Sequence, residues 1–104
     1  MGYDLVSLDR AGRSRLAHAE LLPAEQAALE GAGRARSLPI IASMPGYWGK
    51  EWFLPAERLA ALALELDRVA SHSEDQATTA AVAKLRSVLD VASRYAVPLH
   101  VVPD

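Results

Sequence analysis

The chain contains no cysteine, which excludes a disulfide scaffold, a cysteine nucleophile, a Cys-based zinc site and an iron–sulfur cluster. Lysine is scarce, with two residues against nine arginines. The net charge is only −2 and the pI is about 5.9, so the chain has no general attraction for phosphate backbones or anionic membranes. Long apolar runs are also missing. The longest uncharged stretch, Ser37 to Gly49, holds two prolines and is too short to span a bilayer. Met1-Gly2-Tyr3-Asp4 lacks the basic segment followed by an apolar one that marks a secretory signal. Val6 stands where a myristoylation pattern needs Ser or Thr. A cytoplasmic protein with no membrane partner is the expectation.

What is present is an ordinary globular composition. Of 104 residues, 51% are apolar and 23% charged, which argues against intrinsic disorder and for one domain spanning 1–104. The sequence has 20 alanines and 15 leucines; the abundance of Ala and Arg over Lys points to a bacterium with a GC-rich genome. Alanine buries little area, so the core must rest on the leucines, valines, isoleucines and six aromatics.

Tyr3 to Leu8 reads as a strand closed by the turn Asp9-Arg10-Ala11-Gly12, and its apolar residues on both faces suggest an interior strand. Arg15 to Leu22 suits either a second strand or a lead-in to the next helix. Pro23 fits the first position of a helix with Glu25 in its first turn, and Gly31 marks a stop after about two turns. Leu38-Pro39-Ile40-Ile41-Ala42 reads as a strand with Pro39 near its start. The turn-rich stretch Pro45 to Phe53 then leads to a long helix beginning at Pro55, where Leu59, Leu62, Leu66 and Val69 form one stripe that Leu64 widens, with Glu57, Arg58, Glu65 and Arg68 largely outside it. Ser71-His72-Ser73 ends that helix. Ser73 and Gln76 have capping-box spacing for a last helix, with Glu74 and Asp75 at its start. There Ala81, Leu85, Val88 and Ala92 form the stripe, widened by Val82 and Leu89, and Arg94 complements the last turn. Pro98 stops the helix, and Leu99 to Val102 is a closing strand. Two consecutive long helices exclude strict βαβ alternation. The expected fold is α+β: a small three- to four-stranded sheet packed on one face by two long helices and one short one.

The aromatic segment is the most informative feature. Tyr47, Trp48, Trp52 and Phe53 are four of the six aromatics and fall within seven positions. Trp52 and Phe53 are expected to plug the core as a staple for the Pro55 helix. Tyr47 and Trp48, with Lys50 and Glu51, are the candidate partner-binding residues, because loops carry function and Trp and Tyr dominate binding hot spots.

Other candidates are weaker. His18, His72 and His100 have no metal spacing, and no H-E-x-x-H, H-x-H, G-x-S-x-G or Walker pattern occurs; no catalytic residue, metal or cofactor is assigned. His72 reads as part of a solvated interhelical turn and His100 as a paired structural histidine. Arg10, Arg13, Arg15, Arg34 and Arg36 form a local basic cluster, but three glutamates lie in the same stretch, which favours solvated loop charge over phosphate binding. Along the helical half, Glu51, Glu57, Glu65, Asp67, Glu74, Asp75 and Asp90 outnumber Arg58, Arg68, Lys84 and Arg86; they form either a solvated surface or a negative face for a basic partner.

Met1-Gly2-Tyr3-Asp4-Leu5, Gly46-Tyr47-Trp48, Trp52-Phe53-Leu54-Pro55-Ala56-Glu57 and the helix-to-strand ending at Val101 together resemble small bacterial proteins of unknown function, some of them immunity proteins of polymorphic toxins. In those, an aromatic loop precedes a Pro-Glu helix start and a terminal helix leads into an edge strand. The resemblance implies binding of a toxin or another protein and carries over no catalytic residue. The leading expectation is therefore a non-enzymatic protein-binding module that neutralises a toxin by direct binding. The rivals are a small-molecule-binding or enzymatic domain with a pocket of Trp48, Trp52 and a histidine, and a nucleic-acid-associated regulator using the five arginines. Exposed sheet edges also offer pairing in a homodimer or a larger assembly.

Overall fold

The computed structural model describes residues 3–72 and 75–103. The chain runs β1 (Tyr3–Leu8), β2 (Arg15–Leu21), α1 (Pro23–Ala35), α2 (Pro39–Ser43), β3 (Trp52–Leu54), a 3-10 turn (Ala56–Arg58), α3 (Leu59–His72), α4 (Gln76–Tyr95) and β4 (Leu99–Pro103). The strands form one antiparallel sheet in the order β2-β1-β4-β3, packed against the helices as an α+β fold. β1 is interior, as its two apolar faces suggest. β4 is interior too, between β1 and β3, whereas the family resemblance implied an edge strand there.

Alternation along the strands sorts side chains onto two faces. Tyr3 and Leu5 of β1, Leu99 and Val101 of β4 and Leu54 of β3 point to the helices and are buried in the core. They meet the stripes of α3 (Leu59, Leu62, Leu66, Val69) and α4 (Ala81, Leu85, Val88, Ala92, with Val82 and Leu89), all of them buried. The opposite face carries a row in register across all four strands: His18, Val6, His100 and Phe53. Val6 is buried there, yet it is not part of the main core cluster.

Arg15–Leu21 resolves as a strand, the first of its two expected readings. Several other elements differ from the sequence pattern. α1 passes through Gly31 to Ala35, because no stop is needed until Ser37 adopts a positive φ of 54°. Gly33 serves packing instead: a Cβ there would lie 2.6 Å from Ile41 Cγ2, so glycine lets α2 close on α1. Leu38 to Ala42 is not a strand; Pro39–Ser43 is a short helix. Its cause lies elsewhere in the chain. The Glu65 carboxylate on α3 accepts the backbone N–H groups of Ile40 (3.0 Å) and Ile41 (2.9 Å), satisfying donors that the first turn of a helix leaves open. Glu65 is thus buried, not solvated with the other charges, and Leu64 beside it is 66% exposed and does not widen the stripe.

The cap expected at Ser73, and Glu74 with it, lie outside the described residues. α4 begins at Gln76 with Asp75 as N-cap, its Oδ2 accepting the Thr78 N–H at 3.0 Å. It ends at Ala96, which takes the left-handed conformation at φ 53°.

Candidate functional site

Gly46, Tyr47, Trp48 and Gly49 form a four-residue turn closed by the Gly49 N–H donating to the Gly46 carbonyl at 2.9 Å. Gly49 permits the closure, since a Cβ at that position would come within 2.9 Å of Pro45 Cβ. The turn is fixed to the sheet from beneath. The Tyr3 hydroxyl donates to the Pro45 carbonyl at 2.7 Å, and the Tyr47 ring lies stacked on Tyr3 with centroids 6.0 Å apart. Burial, followed by the charge of Glu30, pushes the Tyr3 phenol well above the ordinary tyrosine range, so it remains a proton donor. Trp48 meets Tyr47 edge-on at 5.3 Å and is 71% exposed. A buried ring thus carries a half-buried ring, which carries an exposed indole; Lys50 and Glu51 follow, also exposed. The sequence placed four candidate partner-binding residues here, and the turn presents Trp48, Lys50 and Glu51 to solvent while Tyr47 is the seat of the indole.

The other two aromatics of the segment separate. Residues 52–54 are a strand, so Trp52 and Leu54 point to the helices while Phe53 points to the other face. Leu54 supplies the buried plug, Trp52 is half-buried, and Phe53 is 59% exposed and stacked on His100 at 6.1 Å. The expectation that both Trp52 and Phe53 plug the core is therefore corrected for Phe53. A period of two over Trp52-Phe53-Leu54 was the available signal.

The remaining candidates are dispersed. Trp52 and His100 lie on opposite faces and open onto different concavities, one lined by Pro39, Ile40 and Arg58, the other by Arg10, Val97 and Pro98. His18 Nε2 lies 2.8 Å from Asp4 Oδ1, and His72 Nδ1 is 2.9 Å from the Arg68 carbonyl on its own helix. The five arginines do not converge. Arg10 and Arg13 belong to the β1–β2 turn and Arg15 opens β2, and Arg10 shares a concavity with Tyr95 at the end of α4. Arg36 donates to the His72 carbonyl, next to the start of α4. The two groups are separated by most of that helix, roughly 30 Å. The acidic half is also partly neutralised, with Asp67 paired to Arg86 at 2.8 Å and Glu65 buried.

One more carboxylate escaped the sequence pattern. Burial alone pushes the Glu25 carboxyl up, but the Leu22 N–H and the Lys84 ammonium, at 2.8 and 2.7 Å, outweigh it and hold it below the usual range. Lys84 also donates to the Glu20 carbonyl, tying α4 to β2 and α1. Among the described residues no group of three or more His, Asp or Glu side chains is placed to hold a metal. Nor is any described helix long and apolar enough to cross a membrane. Comparison with protein-family models, with curated proteins and with solved structures finds no match to this chain.

Proposed function

We propose that this chain is a non-enzymatic protein-binding module of the cytoplasm that neutralises a toxin by direct binding, with Trp48, Lys50 and Glu51 as contact residues on a seat formed by Tyr47. The observation that carries this reading is the 71% exposure of Trp48 on a seat anchored in the core. An indole left in water forgoes on the order of 2 kcal/mol of burial, while its immobilisation on Tyr47 lowers the entropy lost on docking. Trp is also among the residue types most enriched at binding hot spots.

The test installs a photo-crosslinking amino acid at position 48 in the full chain, isolates the adduct from the source cell, and measures the identified partner by calorimetry. Trp48→Ala is expected to weaken that complex by about 30-fold, corresponding to a hot-spot loss of about 2 kcal/mol, with the thermal midpoint unchanged. Leu64→Ala, an equally exposed apolar truncation on α3, is expected to bind as wild type. A Trp48→Ala variant that binds normally overturns the reading.

A further inference from the structure

β3 is the last strand of the sheet, and among the described residues β4 is its one neighbour. Among the described residues, no backbone hydrogen bond beyond that ladder reaches residues 52 to 54, so the outer N–H and C=O groups of the strand are open. Beside this edge runs a groove of about 240 Å³ between β3 and α2. Pro39 and Ile40 form one wall, Trp52, Leu54 and Pro55 the other, and among the described residues Arg58 supplies the only charge in the lining. The Arg58 guanidinium is exposed and meets no acceptor among the described residues. The concavity at Arg10 differs in this respect, since Asp9 and the C-terminal end of α4 oppose an anion there.

We propose that this groove docks an extended segment of a partner protein, paired to β3 as an added strand, with apolar residues against Trp52 and Pro39 and an acidic side chain over Arg58. Each property of the occupant follows from one feature of the groove. The open strand edge requires an extended backbone, because successive N–H and C=O groups alternate in direction. The proline, isoleucine and indole surfaces select apolar side chains. The unpartnered guanidinium selects a carboxylate, which it binds in fork geometry. The proposal rests on the protein-binding reading and adds the chemistry of the partner.

The test selects random heptapeptides from a library fused to a carrier at both ends, against the immobilised full chain. Enrichment of alternating apolar residues flanked by Asp or Glu is expected. Arg58→Glu is expected to weaken those peptides at least tenfold and, on reselection, to yield Lys or Arg at the same position. In amide spectra of the full chain, saturation is expected to shift Phe53, Leu54 and Ser43 and to leave Trp48 in place. No enrichment, peptides indifferent to Arg58→Glu, or shifts confined to the Trp48 turn overturn the proposal. So does enrichment that requires a free C-terminal carboxylate, or a concentration-dependent dimer that protects the β3 amides, because the edge would then take a chain end or a second copy. If the groove fails while Trp48→Ala still weakens binding of the native partner, the protein-binding reading stands without it. If capped peptides bind as described and Trp48→Ala leaves the native complex intact, the groove stands and the contact residues of the turn fall.

Discussion

Glu65 projects from α3 with each carboxylate oxygen on a different backbone N–H of α2, at 3.0 and 2.9 Å. Glu65→Ala removes both acceptors and leaves the N–H groups of Ile40 and Ile41 without partners in a region where both residues are buried. A hydrogen bond to a charged acceptor contributes about 1.5–3 kcal/mol net. Two of them would give roughly 3–6 kcal/mol, and relief of the desolvation cost of a buried carboxylate offsets part of this. The expected loss for Glu65→Ala is about 3 kcal/mol. Glu65→Gln keeps the shape and one acceptor, so its expected loss is about half as large. A domain of this size is stable by about 5–15 kcal/mol, so both variants remain folded at 25 °C. The assay is thermal unfolding followed by circular dichroism. At about 4–8 °C per kcal/mol for this chain length, Glu65→Ala lowers the midpoint by about 12–24 °C. Leu64→Ala, one residue earlier and exposed, serves as the control and stays within about 0.5 kcal/mol. A loss below about 1 kcal/mol for both Glu65 variants, or equal losses for Ala and Gln, would refute the argument that two backbone hydrogen bonds hold α2.

Two glycines of α1 respond with opposite signs. Gly31→Ala meets open space and raises stability by about 0.5–1 kcal/mol through helix propensity, whereas Gly33→Ala drives a Cβ into Ile41 and the Ala42 backbone and costs about 1–2 kcal/mol; urea melts of the pair decide it. Ala96→Gly relieves a left-handed φ of 53° at the C-cap of α4 and raises the thermal midpoint, by about 0.5–1 kcal/mol in stability. The folded Glu25 carboxyl lies below its ordinary value, so the stability it contributes is complete above the ordinary glutamate range and is lost as pH falls through the folded value. Thermal midpoints measured from pH 7 down to pH 3 are therefore expected to fall less steeply in Glu25→Gln than in wild type, and an equally steep fall would contradict the Lys84 pairing.

Patterns of local period were legible in the sequence, and contacts between distant residues were not. The stripes of α3 and α4 could be read because burial of one helix face imposes a repeat of 3.6, and β1 because it carries apolar residues on both faces, as an interior strand of the sheet does. Ile40 and Ile41 favour strands by propensity, and the helix there depends on a glutamate some 25 residues later. The same limit hid Gly33, whose need to be glycine comes from Ile41 of another helix. At the site, the glycines and prolines around Trp48 marked a loop and left open whether the ring is exposed, because its support from Tyr3 spans 42 residues through the Pro45 carbonyl. Phe53 was misjudged because a three-residue strand carries too short an alternation to compete with the simpler idea that large aromatics fill cores.

The error at residues 38–42 bears on function as well as on fold. Had that segment been a strand, it could have paired with β3 and closed the sheet edge, leaving Arg58 beside a finished ladder. Because Glu65 holds it as a helix, α2 stands beside β3 without pairing to it, and the groove between them exists as a consequence. Glu65 makes no contact with the turn that carries Trp48 in any of its hydrogen bonds. Loosening α2 with Glu65→Gln is therefore expected to weaken capped acidic peptides at the groove severalfold while iodide quenching of Trp48 fluorescence stays as in wild type. A change in quenching without a change in peptide binding would mean that α2 supports the aromatic turn and not the groove.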